Sequence, residues 1–410
     1  MKKILLFLLI WACFSATAQN SSDEVDIEFY GSSEINSNSL NYNTLNKIIR
    51  GGKFTEQDKE KWGDYIQRKN VVRMEGAAGI KVLWTLSKEK KHKIGFNCVN
   101  DFYGGIKFSD ALWQTVLYGN SGLGDEFQSI GDLNCNAAGY STLQVAYQSP
   151  KFNLNAQEDY FFLNFMAGPR FGHRMIYFSA EDVLLSATEL AQTLYLSGEY
   201  NFHNADKNAI NGYGAGWDVA LHFGGQRSFG SWELDLFTRG FGFIVWNHNT
   251  YHLQDHLHLA FEGFEINNLF HREENSFQNQ LDSLRNDITK TAEYQDFAQW
   301  QSSDIHLKAS LCFEISSTLQ AGFSTEISTT FFPKGFHKIE FTPFIKGDRE
   351  SDQLHYSIGL PISFNSIAGF CLGGKFEIGN RTLYGGAEVA SIGIKTFSSY
   401  ANLFLGIRIR

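Results

Sequence analysis

One stretch of this chain, WNHNTYHLQDHLHLAFEGF, holds His248, His252, His256 and His258 beside Asp255. Read as an extended strand, it puts His252, His256 and His258 on one face with Gln254 and Glu262, opposite Leu253, Leu257, Leu259 and Phe261. Two imidazoles two residues apart on a strand could hold a metal ion, given a third ligand from a neighbouring strand. The alternative is a polar hydrogen-bond network, the commoner fate of such side chains. Eight charged residues occupy comparable positions: Asp218, Glu233, Asp235, Arg239, Lys308, Glu314, Lys375 and Glu377. Their mixed signs predict a self-satisfied network filling an interior rather than a single-sign ring that selects ions. No catalytic residue and no cofactor is expected from these patterns.

A hydrolase would need Ser or Thr beside His, with an acidic or amide orienter. Ser and His are too plentiful here for their presence to point to a triad, and no Gly-x-Ser-x-Gly elbow occurs. GNSGLG at 119–124 and GYGAG at 212–216 lack the Lys-Ser/Thr of a phosphate loop and read as turns and strand starts.

The elements that must position these residues are long strands. In DIHLKASLCFEI, 304–315, Ile305, Leu307, Ala309, Leu311, Phe313 and Ile315 alternate with Asp304, His306, Lys308, Ser310, Cys312 and Glu314. The pattern recurs at 217–223, 232–239 and 353–364. Further candidates lie at 71–86, 92–106, 138–149, 159–169, 173–186, 190–202, 251–263, 318–331, 337–347, 367–378, 382–395 and 399–410. Such lengths suit transmembrane strands of about 9–11 residues better than soluble strands of about 5–6. An all-β fold follows: a transmembrane antiparallel β-barrel of about 14 strands, with a few short helices in loops or a plug. Only a closed sheet satisfies its backbone in hydrocarbon. Pro343 and Pro361 fall inside predicted strands and therefore demand a bulge or a strand end.

Three segments read as helices: 55–68, where Thr55 and Asp58 resemble a capping box; 109–118; and 276–290, with Phe277, Leu281, Leu284 and Ile288 on one face. The N-terminus MKKILLFLLIWACFSATAQN reads as a signal peptide, residues 1–18, cleaved near Ala18. Residues 19–70 then form an N-terminal segment with a short helix, read as a candidate plug. Residues 71–410 form the barrel, with a helical insertion near 265–303. A formal net charge of −9 argues against nucleic acid as a partner. Cys98, Cys135, Cys312 and Cys371 are far apart and read as wall residues.

The run GYGAGWDVALHFGGQRSFGSWELDLFTRGFGFIVW at 212–246 carries a specific likeness. It resembles a family of Bacteroidota outer-membrane barrels, more distantly similar to long-chain fatty-acid transporters of the FadL type. The matching features are a glycine-rich strand entry with an acidic residue (Gly214, Gly216, Asp218) and a strand ending Gly242, Phe243, Ile244, Trp246. LWQTVLYGNSGLGDEF, from Leu112, and the insertion after 265 resemble the same family. The resemblance implies outer-membrane residence and passage of a hydrophobic compound, and it carries over no functional residues. The expected function is a non-enzymatic outer-membrane barrel. It would either be a narrow transporter of a hydrophobic or amphipathic solute, or a barrel subunit of an envelope secretion or assembly complex. Its partners would be outer-membrane lipid and either a protein partner or a hydrophobic small molecule. The rival reading is an outer-membrane lipid hydrolase with its cluster on the lipid-facing wall.

Overall fold

The computed structural model describes residues 25–39, 55–63, 69–86, 91–112, 128–154, 159–187, 194–205, 208–227, 230–247, 251–261, 293–294, 296–301, 303–330, 336–349, 354–365, 369–379, 383–392 and 399–409. Its first strands are β1 (Val25–Ser37), β2 (Lys69–Thr85), β3 (Lys93–Ser109), β4 (Gln128–Gln148), β5 (Phe152–Asn153), β6 (Tyr160–Ala187) and β7 (Leu194–Ala205). The middle of the chain forms β8 (Gly212–Arg227), β9 (Gly230–Arg239), β10 (Phe241–Trp246), β11 (Tyr251–Phe261), β12 (Glu293–Tyr294) and β13 (Phe297–Trp300). The last strands are β14 (Asp304–Ser316), β15 (Leu319–Thr330), β16 (Phe336–Arg349), β17 (Leu354–Gly359), β18 (Ile362–Asn365), β19 (Gly369–Gly379), β20 (Leu383–Ile392) and β21 (Ser399–Ile409). Helix α1 (Glu56–Gly63) starts at a reciprocal cap: Asp58 N donates to Thr55 Oγ1 at 3.2 Å, and Thr55 N donates to Asp58 Oδ2 at 2.9 Å.

Every described pairing is antiparallel, and the pairings return to their starting point. From β1 the ladder runs through β2, β3 and β4 to β6. The first half of β6 pairs with β8 and the second half with β7; those two pair onward with β9, β10 and β11. From β9 and β10 it passes to β14 and β13, then through β15 and β16 to the collinear β17 and β18. It continues through β19, β20 and β21, and β21 closes on β1 with Ile27 opposite Ile409 and Ser37 opposite Ser399. Closing the ring pairs the first strand with the last, which removes the free edges of an open sheet that hydrocarbon would not tolerate.

The distribution of side chains is inverted relative to a soluble protein. Large apolar residues stand exposed around the ring: Phe29, Met74, Phe102, Val145 (63 % exposed), Leu236, Leu307, Ile339, Ile358 (56 %), Phe376 and Leu405. The buried residues include Asn70, Asn97, Thr142, Gln144, Arg170, Glu340 and Thr342. A contiguous apolar belt of that size would drive a soluble protein to aggregate, whereas lipid covers it without cost. The fold is therefore a transmembrane β-barrel with a polar interior.

Pro343 and Pro361 meet at one interruption of the wall. β16 pairs with β17 at 344–349 and with β18 at 338–341, and Leu360 and Pro361 occupy the gap between those two short strands. Leu360 N donates to the Pro343 carbonyl at 3.0 Å, so the ladder resumes around the residues that cannot donate.

Among the boundaries that differ from the sequence reading, three bear on the architecture. Residues 25–37 are β1, the wall strand that closes the ring, so the barrel begins well before residue 71 and this part of 19–70 is no plug. The predicted strands 159–169 and 173–186 are one strand of 28 residues, β6. Residues 297–300, assigned to the helical insertion, are strand β13. The predicted leader and the predicted helix 276–290 lie outside the described residues, as does the predicted 109–118 helix beyond residue 112.

Candidate functional site

The interior is organised around Arg170 of β6, which is 1 % exposed. Its Nε donates to Thr142 Oγ1 at 3.2 Å, Nη1 to the Gly240 carbonyl at 3.3 Å and Nη2 to the Phe241 carbonyl at 3.4 Å. Its guanidinium lies over the Tyr140 ring, 4.6 Å from the centroid. Gly240, at φ 72°, turns the joint between β9 and β10 so that these carbonyls reach the guanidinium. Gly240 N also donates to Asp218 Oδ1 at 2.6 Å. From Asp218 a relay runs along the inner face of the wall. Gln144 donates to Asp218 Oδ2 at 2.7 Å, Asn97 to Gln144 at 2.8 Å, and the Tyr30 hydroxyl to Asn97 at 3.0 Å. Gly216 makes room for the arginine, since a Cβ there would stand 2.5 Å from Arg170 Nη2.

An apolar cluster of wall side chains adjoins this knot. Tyr103, Tyr140, Met175, Ile244 and Trp246 are buried together, with Tyr177 and Phe297 packed against them. The tryptophan Nε1 donates to Gln299 Oε1 at 3.2 Å, and Gln299 Nε2 donates to Asn136 Oδ1 at 3.2 Å. Gly172 admits the indole, for a Cβ there would lie 2.6 Å from its ring.

A seam joins opposite walls. Arg73 of β2 is bound to Glu75 and donates through Nη1 to Thr330 Oγ1 of β15 at 3.0 Å, with Asp304 of β14 at 3.6 Å. Thr330 in turn donates to Asp304. Arg239 Nη2 reaches Ser32 Oγ of β1 at 3.4 Å. These contacts bring β1 and β2 against β9, β14 and β15, and cavities lie on either side. One, about 390 Å³, is lined by Tyr30, Asn97, Gln144, Met166, Asp218 and Phe237. The other, about 380 Å³, is lined by Glu233, Lys308, Lys346, His355, Lys375 and Glu377.

The predicted charged residues divide between these cavities. Asp218 and Arg239 line the first, and Asp235 holds His222 Nδ1 at 2.6 Å beside it. Glu233, Lys308, Lys375 and Glu377 line the second, where Lys375 Nζ meets Glu377 at 3.1 Å. Glu314 stands apart: it is exposed, opposite Gln320 near the β14–β15 turn. His252, His256 and His258 lie on β11, in backbone register with His203, Glu199 and Ser197 of β7.

The residues that tie the interior together were missed by the sequence reading. Arg170 lies in PRFG, between two predicted strands, and Arg73 carries no signal for its partners, Thr330 being 257 positions away. The parity of Arg73 with Glu75 on β2 was the one available clue to an inward pair.

No protein family and no curated protein sequence matches the chain. Among solved structures it is similar to the toluene transporter TbuX of Ralstonia pickettii, with a TM-score of 0.41 at 8 % identity over 96 % of this chain and 93 % of that one. The translocator domain of the autotransporter NalP from Neisseria meningitidis gives 0.37 at 4 % identity, covering 100 % and 96 %. The toluene transporter TodX of P. putida gives 0.37 at 6 % identity, covering 96 % and 89 %.

Proposed function

We propose that this chain resides in the outer membrane, exported by its leader, and acts as the barrel subunit of an envelope complex. It would work through its outer surfaces while its lumen stays shut. The reading rests on the seam: Arg73 of β2 hydrogen bonds to Thr330 of β15 and forms an ion pair with Asp304 of β14, and the knot and the apolar cluster fill the space beside it. Purification from native membranes tests it, and a stoichiometric protein partner is the expected result. In planar bilayers the wild-type chain is expected to show no steady conductance. An open wild-type pore, or lipid as the sole companion on purification, would overturn the reading.

A second reading is favoured by one observation. The first cavity mixes apolar groups, Val99, Met166 and Phe237, with the hydrogen-bonding groups of Asn97, Gln144 and Asp218. That lining suits an amphipathic small molecule. In this reading the barrel is a narrow transporter whose seam must part for passage. A bound amphipath recovered without a protein partner would select it.

A further inference from the structure

A nucleophile and a base meet on the outer face of β4 and β6. Ser141 has the parity of the exposed Leu143 and Val145, so it faces away from the lumen. The β4–β6 register shifts between Gly139 and Tyr140, which pair with Arg174 and Gly172 and leave His173 as the extra residue of a bulge. The bulge turns the imidazole onto the outer face. Ser141 Oγ lies 2.6 Å from His173 Nε2, and His173 Nδ1 lies 2.8 Å from the Ala209 carbonyl oxygen. A carbonyl only accepts, so Nδ1 carries the proton and the neutral ring presents its Nε2 lone pair to the hydroxyl. The Asn100 amide oxygen of β3 accepts from the same Oγ, so the serine hydroxyl stands between that amide and His173 Nε2 and can direct its single proton to either.

The height of the pair suits a lipid substrate. The short-turn end carries an aromatic group, with Phe152 stacked on Phe161 and Phe161 on Phe223. From Tyr160 to His173 is about 13 residues at ~3.3 Å each, which at a tilt of ~40° rises roughly 33 Å. The apolar band of such barrels is about 25 Å tall, so the pair stands toward its far end, with exposed Ile176 continuing the apolar face beyond it. Tyr213, exposed and edge-on to Phe171 opposite Ser141, marks the same level as an interfacial aromatic.

We propose that Ser141 and His173 form an acyl-ester hydrolase site acting on lipids of the surrounding membrane. The serine oxygen attacks the ester carbonyl carbon as its proton passes to His173 Nε2. Collapse of the tetrahedral intermediate breaks the carbonyl–alkoxide bond, and the leaving oxygen takes that proton. Water, deprotonated by Nε2, then cleaves the acyl-serine; the fatty acid departs and the proton returns to Oγ. Exposed Phe102 and Leu143 offer the acyl chain an apolar bed. The site depends on membrane residence and not on the state of the lumen.

The test uses the full chain reconstituted in two sets of vesicles, one of phospholipid alone and one containing lipid A, with released fatty acid as the readout. A fluorophosphonate probe followed by peptide mass mapping supplies a second readout. Release in either set, with the probe on Ser141, is expected, and the productive set identifies the ester source. Ser141→Ala and His173→Ala are expected to lose at least 100-fold of the release while keeping the wild-type shift in gel mobility of an unheated barrel. Absence of both release and labelling in the wild type, or undiminished release by folded Ser141→Ala, would overturn the proposal.

Discussion

The two cavities of the lumen are built on different principles. The first is bounded by buried side chains whose partners come from other strands: Asn97, Thr142, Gln144 and Arg170 are nearly inaccessible and joined in one continuous relay. The second is lined by lysines and carboxylates that keep contact with water. In its Lys375–Glu377 pair the glutamate side chain is 42 % exposed. Water decides the difference. Where it is excluded, each polar atom needs a protein partner in good geometry, so the arrangement is specific and intolerant of change. Where it enters, charges hydrate and their pairing is optional.

The contrast breaks first at Arg170. Arg170→Met keeps much of the bulk but removes the guanidinium bonds to Thr142 and to the Gly240 and Phe241 carbonyls and takes a neighbouring cation from Asp218, while Ser303 Oγ still donates to Gly240. Removing one partner of a buried charged network costs about 3–5 kcal/mol. Urea unfolding of the barrel from thin vesicles, followed by tryptophan fluorescence, is the measurement. A loss below about 1 kcal/mol would place this region in the same class as an exposed pair.

Next comes Gly216→Ala, which sets a methyl 2.5 Å from Arg170 Nη2. Overpacking of that kind costs roughly 1–3 kcal/mol. Combined with Arg170→Met, its effect is expected to shrink, because the flexible methionine can vacate the space; strict additivity in the double-mutant cycle would contradict the steric account.

Much of this architecture was legible in the chain. Alternation at 304–315 and 217–223 located strands that the structure retains, because one apolar face and one polar face are what lipid outside and a wet interior select. β1 was not legible. Its outward positions run Ile27, Phe29, Gly31, Ser33, Ile35, so the apolar stripe fades midway. β6 was split at Gly168-Pro169 and Gly172, residues that ordinarily punctuate turns. Here Gly172 is required because the Trp246 ring occupies the space of a Cβ. The charged lining of the second cavity was visible from parity alone. The knot was not, since its ligands are largely backbone carbonyls and amides recruited from distant strands.

The seam separates the two regimes and predicts an intermediate effect. Asp304→Asn removes the charge facing Arg73, while Glu75 continues to hold the guanidinium. A stability loss of about 1 kcal/mol is expected, the typical net worth of an intramolecular hydrogen bond. The larger consequence concerns the lumen: brief openings in single-channel recordings, against a silent wild type. Unchanged silence in Arg73→Ala/Asp304→Ala would show that the cavities are kept apart by the knot and not by the seam.

The smallest effect belongs to the second cavity. Lys375→Ala breaks the 3.1 Å contact with Glu377, yet the carboxylate left behind is already partly in water. Hydration replaces the ion pair, and the freed rotamers of Glu377 recover part of the entropy its pairing had removed. The expected change is within about 0.5 kcal/mol, near the resolution of an unfolding midpoint. It is further expected to vanish as salt is raised, since screening weakens what Coulomb attraction remains. A salt-insensitive loss above about 2 kcal/mol would mean that the second cavity is dry. Lys308, Lys346 and Lys375 would then be confined charges, requiring a bound anion or a closed carboxylate network to neutralise them, and the division of the lumen into wet and dry halves would fail.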